Sequence, residues 1–86
     1  MRNPDFREWL TGRGYTRASA RDYVSRLKRA VELNHESGVA LSSVPADEFI
    51  MHLERNNEFR GLTTSVKSHL RKTVRLYKEF EGGQPH

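Results

Sequence analysis

The chain is 86 residues long, with 15 Lys or Arg against 11 Asp or Glu, a net charge of +4 and no cysteine. That length bounds it to one domain with a modest core, and the missing cysteines exclude a disulfide framework and thiolate metal sites. No apolar run approaches the roughly 20 residues needed to cross a bilayer, and the start Met1-Arg2-Asn3-Pro4 lacks a signal-peptide core, so a soluble cytoplasmic protein is expected.

The first predicted helix covers 4–12. Asn3 is placed to cap it and Pro4 to fill its first position. Phe6, Trp9 and Leu10 then repeat at i, i+3, i+4 before Gly12-Arg13-Gly14 stops the helix. The second helix, over 16–34, starts from a Thr16 cap with Tyr15 packing back as a staple. Its stripe of Ala20, Tyr23, Val24, Leu27, Ala30, Val31 and Asn34 lies on one face. Residues 34–43 read as a loop broken at Gly38 and anchored by Leu41 and Val44.

Pro45 opens a third helix over 45–56, where Ala46-Asp47-Glu48 suit the positive end of the helix dipole. Phe49, Ile50 and Leu53 form its buried face and Asn56-Asn57 end it. Gly61 marks the next turn, leaving Phe59 and Met51 as exposed apolar residues. A fourth helix over 64–81 follows a Thr63 or Thr64 cap, with Val66, Leu70, Thr73, Val74, Tyr77 and Phe80 as its stripe and Gly82-Gly83 as its stop. No segment alternates like a strand. The expected fold is all-α: four helices around one core spanning 1–81, with 82–86 a tail or the start of a linker. Trp9, Tyr23, Leu27, Phe49, Leu53, Leu70, Val74 and Tyr77 are its expected interior.

Charge is unevenly placed along this chain. Residues 1–33 carry a balance of +4, 34–61 of −3 and 62–86 of +3. At 100° per residue, Arg17, Arg21, Ser25 and Lys28 share one flank of the second helix. Lys67, Arg71, Arg75 and Lys78 form a row on the fourth, extended by Thr64 and Ser68, and Arg13 can join from its turn. Cations interleaved with short hydroxyl side chains suit phosphate and base-edge contacts. The bland alternative is a pair of solvated helix faces, since Lys and Arg are good helix formers. If both rows serve one polyanion they should form a continuous surface, with Asp47 and Glu48 turned away from it.

The order Phe6-x-x-Trp9-Leu10, then Gly14-x-Thr16-x-x-Ser19-x-x-x-Tyr23-x-x-x-Leu27, resembles the core-binding domain of the tyrosine recombinase, or phage integrase, family. Phe49-Ile50-x-x-Leu53 is similar to that domain's third helix, and Val74-Arg75-x-Tyr77-x-x-Phe80 to its last. The likeness spans roughly residues 6–80. It implies a four-helix SAM-like bundle that forms half of a clamp around double-stranded DNA, with the second and fourth helices against the major groove. It also implies a catalytic recombinase domain or further protomers as partners, in a prokaryotic or phage-encoded, nucleoid-associated setting of DNA recombination and integration. The chain holds no counterpart of the family's catalytic domain.

No set of residues here makes an enzyme. There is no Gly-rich phosphate loop, no His and carboxylate set at metal-ligand spacing, and no Ser/His/Asp order. Tyr15, Tyr23 and Tyr77 border apolar stripes and read as core aromatics with a polar tip. His52 and Glu48, one turn apart, read as a surface pair. No cofactor, metal, membrane or small-molecule substrate is expected. The competing functional reading is a protein-interaction module of a mobile element that docks on a recombinase or regulator. Such an interface would expose aromatics or Met where this chain places Lys and Arg.

Overall fold

The structure, a computed structural model, describes residues 3–82, with side chains from Asp5 onward. Gly83 and the 84–86 part of the expected linker lie outside the described residues, as does the side-chain capping expected of Asn3. Among the described residues there are five helices: α1 (Asn3–Gly12), α2 (Arg17–Leu33), α3 (Ala46–Glu54), α4 (Asn57–Arg60) and α5 (Thr64–Gly82). Two 3₁₀ turns, His35–Ser37 and Leu41–Ser43, punctuate the α2–α3 connection, and no strand occurs among the described residues. The fold is all-α.

The ends of α2 and α5 follow the local chemistry of the sequence. Thr16 sits in extended backbone and its side chain accepts a bond from the Ser19 N–H at 3.1 Å, satisfying one of the free donors of the first turn. Thr63, rather than Thr64, caps α5, accepting from the Val66 N–H at 3.2 Å. Gly14 and Gly38 adopt φ values of +99° and +72°, a region that side chains disfavour. They turn the chain out of α1 and out of the first 3₁₀ turn.

One correction concerns residues 56–61. Asn56 does not simply end the third helix; it starts a fourth. Its Oδ1 accepts from the Phe59 N–H at 3.0 Å while its Nδ2 donates to the Leu33 carbonyl at 2.6 Å. This side chain therefore caps α4 and ties it to the end of α2. The single turn of helix that results points Phe59 inward, where it is only 1% exposed. Phe59 is core, and the expectation of an exposed ring there fails. Asn56→Ala should cost about 1–3 kcal/mol, because it removes a cap and leaves a part-buried carbonyl without its donor. Urea unfolding followed by far-UV circular dichroism would measure this.

The core joins all the helices. Tyr23, Leu27, Phe49, Leu53, Leu70, Val74 and Tyr77 are buried as expected, with Phe6, Leu10, Phe59 and Phe80 among them. An aromatic group fixes α1 to the end of α5: Phe6 meets Tyr77 edge-on at 5.2 Å and Phe80 at 5.6 Å, and Trp9 meets Phe80 at 5.7 Å. Thr73 sits fully buried in the α5 stripe because its hydroxyl donates to the His69 carbonyl one turn back, at 2.7 Å. Trp9 departs from the expected interior. It is only partly buried, and the Arg13 guanidinium, 4.5 Å from its ring centre, lies over it.

Candidate nucleic-acid interface

The basic row on α5 is the first place where the geometry departs from expectation. Arg75 Nη1 lies 2.6 Å from Asp47 Oδ1, and Arg71 Nη1 lies 3.7 Å from Glu54 Oε1. Both carboxylates belong to α3, the acidic helix expected to turn away. The reason is antiparallel packing: α3 lies along α5, so its early Asp47 meets the later Arg75 and its late Glu54 meets the earlier Arg71. A phosphate approaching this row would meet two carboxylates as well as two guanidiniums. Ser68 sits in the same row, 3.4 Å from the Arg71 guanidinium that donates to it.

Lys78 and Arg13 are also engaged. Lys78 donates to the Leu41 carbonyl at 2.9 Å and lies 3.1 Å from Glu81, with its side chain largely covered. It is a tether between α5 and the second 3₁₀ turn, not a free cation. Arg13 reaches Glu79 at 2.7 Å while covering Trp9, which pins the α1–α2 turn to the end of α5. Of the predicted α5 residues, Thr64 is exposed and Lys67 part-buried, and Lys67 pairs with no carboxylate among the described residues.

Helix α2 is different. Arg17, Arg21, Ser25 and Lys28 are all exposed, as is Arg29. None of α2's five cations lies within ion-pair distance of a carboxylate among the described residues. Arg17 and Arg21 share a groove with Arg7, Glu8 and Thr11 of α1, so three guanidiniums border one cleft beside a single carboxylate. Such a concentration of like charge is repulsive unless an anion offsets it.

A second basic feature occupies the seam where α2 meets α5. Tyr15 and Tyr23 stand edge to face at 5.4 Å. Arg26 Cζ is 5.4 Å and Lys72 Nζ is 5.8 Å from the Tyr23 ring centre, within cation–π range. Hydrogen bonding with the Tyr23 side chain, followed by electrostatic attraction to Tyr23 and Tyr15, holds the Lys72 ammonium above its ordinary value.

The predicted rows thus have different neighbours. Arg17 and Arg21 stand beside α1, whereas Arg71 and Arg75 stand beside α3. The side chains at the α2–α5 seam are Arg26 and Lys72, neither of which belongs to a predicted row. At 100° per residue both fall on the flank of their helix opposite that row. A helical wheel could place each of them on a flank, but the packing of α2 against α5 decides which flanks meet.

Among the described residues no group of His, Asp or Glu is arranged to hold a metal ion, and no helix is long and apolar enough to cross a membrane. Compared with protein families, with curated proteins and with solved structures, the chain matches none of them.

Proposed function

We propose that this chain is a double-stranded DNA-binding module of the recombinase core-binding type, without catalytic residues of its own, that presents α2 to a DNA groove. The observation that carries this reading is the contrast between two basic helices. The five cations of α2 have no carboxylate partner among the described residues, whereas Arg71, Arg75 and Lys78 of α5 do. A DNA major groove about 12 Å wide admits one helix. In this reading Arg17, Arg21, Ser25 and Lys28 face phosphates on one strand, joined by Arg7 from α1. Arg26 and Lys72 approach the other strand. The α5 row that the resemblance assigns to DNA serves mainly to hold α3.

The all-α architecture and the order of the Phe6, Trp9, Tyr23, Leu27 and Tyr77 motifs support the core-binding-like assignment and its SAM-like bundle. The same assignment makes a catalytic recombinase domain the natural partner. A lone half-clamp closes around nothing, so the affinity should be that of non-specific binding, with Kd about 10⁻⁴–10⁻⁶ M at physiological salt and tighter below it. Fluorescence anisotropy with a labelled random duplex at two salt concentrations tests this. Absence of binding at low salt would overturn the reading in favour of a protein-docking module.

A further inference from the structure

The cleft between α1 and α2 encloses about 550 Å³ and is lined by Arg7, Glu8 and Thr11 from one helix and by Arg17 and Arg21 from the other. Arg7 and Thr11 stand one turn apart on α1, as Arg17 and Arg21 do on α2, so each pair projects from one face of its helix. The Thr11 hydroxyl already donates to the Glu8 carbonyl at 2.9 Å. The guanidiniums are therefore the side-chain donors that this cleft offers a ligand.

Their charge is only partly offset within the protein. Arg7, Arg17 and Arg21 are exposed, and none lies within ion-pair distance of a carboxylate among the described residues. Glu8 lines the same cleft, yet it too stands outside ion-pair distance of all three. On α5, by contrast, Arg71 and Arg75 face Glu54 and Asp47. Arg17 also opens α2, whose first turn holds no acidic residue, and the helix dipole opposes a cation there. Three like charges share one cleft at a cost to the fold, which an anion removes.

The charge of the cleft points to the kind of anion. Three guanidiniums against one carboxylate leave +2, whereas each diester phosphate in the interior of DNA carries a single negative charge. A phosphate monoester carries about −1.5 to −2 at neutral pH, on three terminal oxygens that accept guanidinium bonds. We propose that this cleft binds a phosphate monoester, with Arg7, Arg17 and Arg21 donating together to its terminal oxygens. The 5′-terminal phosphate of a DNA strand and a free phosphorylated small molecule both present this group. Assigning it to a strand end rests on the proposed DNA reading, which also uses these arginines; binding of the free monoester does not.

The test uses the full chain, labelled with ¹⁵N, with methyl phosphate as the monoester and dimethyl phosphate as the diester. Methyl phosphate should give saturable shifts at the Nε–H groups of Arg7, Arg17 and Arg21, with Kd in about the millimolar range for so small a ligand. Dimethyl phosphate, with one charge fewer, should bind about tenfold more weakly. Arg7→Gln should weaken methyl phosphate about tenfold and Glu8→Gln should tighten it severalfold, while Arg55→Gln, outside the cleft, leaves it unchanged. All three positions are exposed, so the melting temperature should stay that of wild type. No saturable shift, equal binding of the two probes, or no change in both the Arg7 and Glu8 variants would overturn the proposal. A random duplex ending in 5′-phosphates, compared with the same duplex ending in 5′-hydroxyls, identifies the source. Tighter binding of the first assigns the site to a strand end, and equal binding assigns it to a free monoester. Duplex binding without methyl phosphate shifts would overturn the site and leave the DNA reading standing; shifts without duplex binding would do the reverse.

Discussion

Phe59→Ala should destabilise the fold by about 3–5 kcal/mol, the usual cost of deleting a buried aromatic ring. Phe59 is 1% exposed and belongs to the single core cluster. A domain of this size has a total stability of the order of 5–15 kcal/mol, so the variant should be partly unfolded near body temperature. Met51→Ala provides the contrast. Met51 is 45% exposed, and its truncation should change stability by less than about 0.5 kcal/mol. Thermal and urea unfolding of the two variants would check both values. Equal, small effects would mean that α4 does not carry Phe59 into the core.

The triple variant Arg17→Gln, Arg21→Gln, Lys28→Gln should weaken duplex binding by about 10²–10³-fold at 50 mM salt, if each cation neutralises one phosphate. The three side chains are exposed and pair with no carboxylate among the described residues. Removing their charge therefore breaks no ion pair within the protein, and unfolding should stay within about 0.5 kcal/mol of wild type. Arg26→Gln with Lys72→Gln should act in the same direction but less, because two charges are removed rather than three. Anisotropy titrations at fixed salt measure both effects.

Much of the fold is legible in the sequence because periodicity and capping are local. The stripe through Tyr23, Leu27 and Ala30 marks the buried face of α2, and Thr16 marks its start. The Leu70, Val74, Tyr77 spacing does the same for α5. Residues 56–61 are ambiguous because Asn56 before a Gly-containing turn looks the same as a helix stop or a helix start. Its bond to the Leu33 carbonyl, 23 residues earlier, selects the second, and nothing local reports it.

The candidate site is legible by residue type but not by pairing. Which arginines are neutralised depends on α3 lying antiparallel along α5, which brings Asp47 to Arg75 and Glu54 to Arg71. Lys78 looks like part of a row because its spacing matches. Its partner, the Leu41 carbonyl, is 37 residues away. The same limit hides Arg26 and Lys72, whose shared neighbour is the Tyr23 ring. Helix periodicity reports the flank of one helix; the way helices pack decides what that flank meets.

The salt dependence of binding tests most directly whether α2 rather than α5 contacts DNA as proposed. The log–log slope of affinity against salt should be measured for the wild type, for the α2 triple variant and for Arg71→Gln with Arg75→Gln. Each phosphate that a variant no longer neutralises flattens the slope by about 0.9. The α2 variant should therefore flatten it by about 2.7 units, and the α5 variant by less than about 0.5, since its guanidiniums already face Asp47 and Glu54. A slope flattened by nearly two units in the α5 variant and unchanged in the α2 variant would contradict the account.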